Sequence, residues 1–453
     1  MNDISTFMQS RFSDCTVQSR SLDCAMQSSS LGGSVAAHTL GCKVNQCDTE
    51  ALLTRLADVG FTICDFNQRA DIYIINTCTV THTGDKKSLQ MIRRARRQNP
   101  KALIAVCGCM PRGQADSSIK ISEAGADFIF DTRKPEDLLE KLGGLHPEHT
   151  VKHSITAIER TRAFIKIQDG CDRFCSYCIV PYTRGQPASR PQADILAEAE
   201  THLKHGTQEI VLTGIQVAAY GYDTDSDEYT LPKLIKHLAA LGPKRLRLSS
   251  IDPWAITDAF LEAVSDSPAL CSHFHLSLQS GSNKTLARMN RRYTTADYMN
   301  AANNLKNLRP DMALTTDLIV GFPGESDDDF TQSVRFANDI CFSRVHVFEY
   351  SKRAGTPAAD MPNQIPSHIK SARGEEMRAL AKSLEQQFLQ SQIGKTIPVL
   401  FESNTKNANT WQGHTSNYCQ VKVQGTNLAN TLKYVQVTGI TGNTLTGTIK
   451  PAT

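Results

Sequence analysis

Three cysteines in one short loop, Cys171, Cys175 and Cys178 in the run GCDRFCSYC, carry the densest chemistry in the chain. They follow a strand-like stretch, Ala163 to Ile167 (AFIKI). Thiolates are soft ligands suited to iron-sulfur clusters, and a cubane normally takes four protein ligands, so three cysteines leave one iron open. An open coordination position is where chemistry takes place, as in catalytic zinc sites. Two other sites could use the same residues. A ferredoxin-type cluster is spaced C-x2-C-x2-C, and zinc sites usually pair their cysteines.

Three more cysteines are far apart in sequence but alike in setting. Cys42 (TLGCKVNQ), Cys78 (INTCTV) and Cys109 (VCGCM) each follow a predicted strand, at intervals of 36 and 31 residues. In a parallel α/β sheet successive strand ends converge on one edge, where three thiolates could hold a second cubane. Taken singly, each could be a small buried hydrophobe. Cys107 competes with Cys109, but it belongs to the apolar run ALIAVC and is expected to pack inside, while Gly108 permits the turn that presents Cys109. Cys15, Cys24, Cys47, Cys64, Cys271, Cys341 and Cys419 have no such placement.

The elements that position these residues read as α/β. Residues 1–37, rich in Ser, Gln and Asp, read as a disordered leader without the basic start and apolar core of a signal peptide. Residues 38–145 alternate helical patterns with the short apolar strands ADIYIIN and ALIAV, which implies a parallel sheet. From 157 to 389 six candidate strands (AFIKI, EIVLTG, RLRLSS, HFHLSL, ALTTDLIVG, RVHVFEY) suit an incomplete (β/α)6 barrel whose reactive face lies at the C-terminal strand ends. Residues 390–453 change to short Val, Thr and Leu strands punctuated by glycine, the pattern of a small antiparallel β-barrel. No apolar run approaches the eighteen residues of a membrane span. Fourteen cysteines without a secretory signal point to a reducing, cytoplasmic setting.

Charge is uneven along the chain. The overall +3 combines a C-terminal segment with five lysines and one acid, Glu402, with a near-neutral remainder. Six cations, Lys86, Lys87, Arg93, Arg94, Arg96 and Arg97, form either a solvated helix face or a phosphate-binding surface. The acidic loop Asp223, Asp225, Asp227 and Glu228 is expected to stay away from any polyanion such as RNA.

The C-x3-C-x2-C run resembles that of the radical S-adenosylmethionine superfamily. Together with TLGCKVNQCDTEAL, DIYIINTCTVTHTGDKKS, GCDRFCSYCIVPYTRG, LSLQSGSNKTLARMNRRYT and TTDLIVGFPGES, it resembles the methylthiotransferases of that superfamily from about His38 onward. The C-terminal module (IGKTIPVLFE, GHTSNYCQVKV, LTGTI) resembles their TRAM domain. Lys43-Val44-Asn45-Gln46 resembles the branch that methylthiolates threonylcarbamoyladenosine next to the anticodon of tRNA, whereas the isopentenyladenosine branch more often reads GCQMN and the ribosomal-protein branch GCPKN. Cys47, where an aromatic residue is more usual, and the long leader depart from the pattern.

The resemblance implies two 4Fe-4S clusters and S-adenosyl-L-methionine as cofactors. The Cys171/Cys175/Cys178 cluster would be the radical source, cleaving the cofactor to a 5′-deoxyadenosyl radical, and the Cys42/Cys78/Cys109 cluster would hold the sulfur to be inserted. Partners would be the tRNA anticodon stem-loop and an electron donor protein. Cofactor contacts would come from Tyr177 (adenine), Thr213 and Gly214 (methionyl amino group), Ser277 and Gln279 (ribose), and the strand carrying Asp317, Ile319 and Gly321. An adenine C2–H bond is neither acidic nor attached to a leaving group, so a radical route suits it. Two rival functions are methylthiolation of a ribosomal-protein aspartate and a non-catalytic iron-sulfur or zinc-bearing RNA-binding protein.

Overall fold

The computed structural model describes residues 33–113, 116–142, 161–224, 226, 228–404 and 409–451. Most of the expected leader, the polar stretch 146–154, both Asp225 and Asp227, and Lys406 lie outside these residues.

The first sheet holds β1 (Ser34–Thr39), β2 (Thr62–Cys64), β3 (Ile72–Thr77), β4 (Leu103–Gly108) and β5 (Phe128–Ile129), in the order β2-β1-β3-β4-β5. Every ladder is parallel. Strand β3 is buried at all six positions, as a parallel strand covered on both faces must be. Tyr73 and Ile75 pack with Ile92 and Ala95 of the helix His82–Gln98, whereas Ile72 and Ile74 pack with Leu52 and Leu56 of the helix Lys43–Asp58. Strand β1 begins at Ser34, four residues ahead of the boundary read from the sequence, because Val35 and Ala36 are core residues of this sheet.

The central region contains β6 (Arg162–Asp169), β7 (Ala188–Ser189), β8 (Glu209–Gly214), β9 (Arg245–Leu248), β10 (His273–His275), β11 (Ala313–Val320) and β12 (Arg344–Glu349). Parallel ladders run β6-β8-β9 and β10-β11-β12, and the bridges Leu246–Leu270 and Ile251–Leu276 join the two sets. The six strands therefore form the expected open (β/α)6 barrel; β7, too short to read from sequence, pairs antiparallel with β6. Ile165, Ile167, Ile210, Leu212, Leu246, Phe274, Leu318 and Val320 pack outward under the helices. The alternate positions on the concave side are largely polar: Lys166, Gln168, Glu209, Thr213, Arg245, Arg247, His273 and Thr315.

The last five strands, β13 (Thr396–Asn404), β14 (Thr410–Thr415), β15 (Gln420–Gln424), β16 (Thr431–Thr441) and β17 (Thr444–Ile449), close a barrel in the order β13-β14-β15-β17-β16. Four ladders are antiparallel, but β15 and β17 pair in parallel, so the barrel is mixed rather than purely antiparallel. The chain crosses from β15 to β16 before β17 returns to fill the gap between them.

This small barrel stands on the N-terminal ends of the central strands. Arg245 donates to the carbonyls of His414 and Pro398 (2.7 Å each), Arg247 donates to that of Ser416 (3.2 Å), and Arg162 pairs with Glu402 at 2.7 Å. The Tyr418 ring lies under the Arg247 guanidinium at 4.5 Å. Inside the central barrel Glu209, fully buried, answers this positive charge through Arg162 and Arg247, both at 2.9 Å.

Candidate active site

Strands β1, β3 and β4 are neighbours, and the three cysteines predicted to act together leave their C-terminal ends side by side. Cys42 is the N-cap of the helix Lys43–Asp58, Cys78 follows β3, and Cys109 follows β4. Gly108 makes the last turn at φ +95°, where a Cβ would lie 2.4 Å from the Thr77 carbonyl oxygen, and the amide of Cys109 donates to that carbonyl at 3.0 Å. Asn45, buried, locks the other two loops by donating to the carbonyls of Leu40 (2.8 Å) and Thr77 (3.0 Å). A Cβ on Gly41 would stand 3.3 Å from the Cys78 sulfur, so the loop before Cys42 packs against it. Cys42 is exposed and Cys109 buried, leaving the set open on one side. Cys107 is a core residue of β4, packed with Ile74 and Leu56.

The second set hangs from the end of β6. Gly170 at φ +72° brings the chain so close to the 185–186 backbone that a Cβ would meet the Gln186 carbonyl at 1.9 Å. The Cys171 amide donates to Gly185 O at 3.0 Å, and the Cys178 amide to Cys175 O at 2.9 Å. Cys171 donates through sulfur to Gln216 Oε1 at 3.4 Å, and Arg291 Nη1 donates to the Cys175 sulfur at 3.4 Å. Arg291 is itself held by an ion pair with Asp252. Neither residue stood out in the sequence; Arg291 falls in LARMNRRYT, which carried resemblance but no local chemical pattern.

Burial pushes two thiols of this set up, Cys171 to about 11 and Cys178 to about 12, and it also raises Cys78. Burial raises Cys109 as well, opposed by the charge of Arg184. In the metal-free chain these thiols are protonated, so loading a metal must release protons. Among the described residues no three His, Cys, Asp or Glu side chains are gathered as around a single ion. Zinc needs its sulfurs to converge at about 2.3 Å on one point. A cubane instead offers each thiolate its own iron, and thiolates are soft ligands of the kind such a cluster takes. All twelve described cysteines are free thiols.

The other expected contacts lie on the C-terminal half of the same face. Tyr177 sits edge-on to Phe322 (ring centroids 6.5 Å apart) in an apolar group with Ile319. Thr213 is buried at the end of β8, and Gly214 lies against Gln168, to whose carbonyl a Cβ would come within 3.0 Å. Ser277 and Gln279 follow β10, half-buried, and Gln279 is bridged to β11 by bonds to Asp317 O and from the Ile319 amide, both 2.9 Å. Asp317 faces His275 at 3.5 Å. Gly321 differs from expectation in one respect: a Cβ there would lie 2.2 Å from Lys370 Cγ, so the glycine makes room for the helix Ser367–Gln390.

The two cysteine sets meet across one seam. The helix Lys43–Asp58 lies along β6, with Lys43 over the Phe164 ring at 5.6 Å, Cys47 donating to Phe164 O at 3.5 Å, and Asp48 paired with Lys166. Arg184, from the helix Val180–Arg184, binds Asp169 at 2.8 and 2.9 Å on the side of the second set and Asp48 at 3.2 Å on the side of the first. Arg353 crosses the same boundary to Asp85.

Of the six expected cations, Arg96 is committed to Asp127 and to the carbonyls of Gly125, Pro100 and Ala102. Lys87, Arg94 and Arg97 are exposed and line, with His38, a cavity of about 330 Å³.

Comparison with known proteins shows the family and the fold. Residues 165–337 match the radical SAM superfamily and residues 34–131 the uncharacterized protein family UPF0004. The threonylcarbamoyladenosine tRNA methylthiotransferase of Bacillus subtilis is 39% identical over 85% of this chain and 89% of that protein, and the one of Chlamydia pneumoniae 38% identical over 90% and 96%. A tRNA-2-methylthio-N(6)-dimethylallyladenosine synthase of Acetivibrio thermocellus is 35% identical over 81% and 80%. The solved structure of a radical S-adenosylmethionine methyltransferase from Kitasatospora setae superposes with a TM-score of 0.54 at 14% identity, covering 72% of this chain and 77% of that one, and so shares the fold. The chain belongs to the radical S-adenosylmethionine methylthiotransferase family.

Proposed function

We propose that the protein is an enzyme that converts N6-threonylcarbamoyladenosine next to the anticodon of tRNA into its 2-methylthio derivative. The observation that carries this reading is the pairing of two three-cysteine sets, each at the C-terminal ends of parallel strands, across a single buried seam. Identity of 34–39% to threonylcarbamoyladenosine tRNA methylthiotransferases supports the substrate. The isopentenyl-type synthases stand at 32–35% and define the alternative, with a ribosomal-protein aspartate as a more distant one.

In this reading Cys171, Cys175 and Cys178 hold one 4Fe-4S cluster, and Cys42, Cys78 and Cys109 hold the other. When bound, the clusters and S-adenosylmethionine supply radical formation and the sulfur and methyl to be transferred. The chain binds and orients. Arg291 donates to the Cys175 sulfur, and Gln216 accepts from the Cys171 thiol until metal loading removes that proton. Tyr177, Ile319 and Phe322 offer an apolar wall for an adenine, and Thr213, Gly214, Ser277, Gln279 and Asp317 offer polar groups for the rest of the cofactor. Gly321 supports that wall by seating the Ser367–Gln390 helix. The anticodon stem-loop would approach the exposed side near Cys42, flanked by Lys87, Arg94 and Arg97. An electron donor protein supplies the reductant, and the protein works in the cytoplasm; no described helix is long and apolar enough to cross a membrane. Domain boundaries near 34, 145, 157 and 390 follow from the same reading.

The test is anaerobically reconstituted protein with S-adenosylmethionine, a chemical reductant and synthetic anticodon stem-loops. A 2-methylthio product from the threonylcarbamoyl stem-loop, and little from the isopentenyl one, is expected. The reverse preference, or none for RNA, overturns the assignment.

A further inference from the structure

The side chain that touches both halves of the site is Arg184. It is 6% exposed, and its two terminal nitrogens are fully used: Nη1 binds both oxygens of Asp169, and Nη2 binds Asp48 and the Asn45 side-chain oxygen. Its Nε has no partner. An ion pair that merely closed the seam would need only the two terminal nitrogens, and a buried N–H without an acceptor is costly.

The partners of Arg184 lead on both sides to the cysteines. Arg184 is the foremost charge acting on the Cys109 thiol, where it opposes the effect of burial. The Asn45 oxygen that Arg184 grips is also the acceptor for the Cys42 thiol, at 3.7 Å. On the other side Asp169 accepts from the Gly170 amide at 2.8 Å, immediately before Cys171, and Gly185 O accepts from the Cys171 amide. Lys166 pairs with the same two acids, Asp48 and Asp169, so the charges at the seam compensate and the remaining donor of Arg184 is free for an anionic group.

We propose that Arg184 is a positioning residue for the sulfur-bearing cluster, donating to the sulfurs of the Cys42/Cys78/Cys109 set while fixing that set against the loop that carries Cys171. This rests on the two-cluster reading. Hydrogen bonds to cluster sulfurs and nearby positive charge favour the reduced, more negative state, so Arg184 raises the reduction potential of that cluster.

The test uses the full chain carrying Cys171→Ala, Cys175→Ala and Cys178→Ala, reconstituted anaerobically with iron and sulfide, so that any signal comes from the first set. Absence of a cluster in this background would defeat the two-cluster reading itself, before Arg184 is touched. With the cluster present, Arg184→Gln is expected to move its midpoint potential to more negative values and change the EPR line shape of its reduced form. Arg184→Lys keeps the charge and the pairing with Asp169 but lacks the Nε donor, and is expected to give an intermediate shift. A purely structural role would lower the unfolding temperature of metal-free Arg184→Gln and leave the spectrum of the loaded cluster unchanged. If Arg184→Gln fails to fold, Arg184→Lys decides: a wild-type potential and line shape overturn the proposal.

Discussion

Replacing Glu209 by Gln tests how the C-terminal barrel is held. Glu209 is fully buried and faces three guanidinium groups, with Arg162 and Arg247 at 2.9 Å and Arg245 at 3.8 Å. Burial alone would raise its carboxyl, but Arg247 and Arg162 outweigh burial and hold it down at about 2. Relative to an ordinary glutamate this depression corresponds to stability on the order of 3 kcal/mol at neutral pH. Removing one partner of a buried ion pair costs a similar amount, about 3–5 kcal/mol. Because the folded value is depressed, the contribution is complete above the unfolded carboxyl value, near 4.5, and is lost as pH falls from there to about 2. Urea unfolding of the metal-free protein should show Glu209→Gln destabilised by roughly 3 kcal/mol at pH 7, with the gap to wild type closing through that acid window. Arg245 and Arg247 also donate to the His414, Pro398 and Ser416 carbonyls, so limited proteolysis should release the C-terminal barrel faster in the variant. A gap under about 1 kcal/mol at pH 7, or one that persists unchanged at low pH, refutes the reasoning.

Deleting residues 390–453 exposes Arg245, Arg247 and the buried His273, so the truncated chain should aggregate or unfold at lower temperature; a soluble truncation of wild-type stability would show that the barrel does not hold the central strands together. Cys42→Ala, Cys78→Ala or Cys109→Ala should halve the reconstituted iron yet leave S-adenosylmethionine cleavage, measured as 5′-deoxyadenosine. Cys107→Ala, which trims a packed core side chain, should cost roughly 1 kcal/mol of stability and keep both clusters. Lys87→Ala, Arg94→Ala and Arg97→Ala should each lower the log–log salt slope of tRNA binding by about one unit per lost phosphate contact. Arg96→Ala should lower stability instead, since that guanidinium caps Gly125, Pro100 and Ala102 carbonyls.

What could be read in advance was whatever is written locally. The six central strands, the alternation behind the first sheet and the placement of Cys42, Cys78 and Cys109 at strand ends all follow from short-range periodicity, and adjacency of β1, β3 and β4 then follows from parallel topology. The start of β1 at Ser34 went unread because Ser34 and Val35 directly follow the Ser- and Gly-rich run SSSLGG, and only pairing with β2 and β3 makes them strand. The parallel β15–β17 ladder and the seat of the C-terminal barrel are long-range facts with no local pattern. Arg184, Arg291 and Gln216 escaped for the same reason: an isolated Arg or Gln is ordinary in sequence, and its meaning comes from Asp169, Asp252 and the cysteine sulfurs that folding brings to it. The helix of six cations showed the converse limit, since composition could not separate Arg96, turned to backbone carbonyls, from Lys87, Arg94 and Arg97, which line an open cavity.

The most direct test of the proposed activity is mass spectrometry of tRNA nucleosides from a strain lacking this protein, complemented with the wild-type chain or with Cys109→Ala. The account predicts loss of 2-methylthio-N6-threonylcarbamoyladenosine with accumulation of N6-threonylcarbamoyladenosine, restored by the wild-type chain and not by Cys109→Ala. Unchanged levels of that nucleoside, or loss of the 2-methylthio isopentenyl nucleoside in its place, would contradict it.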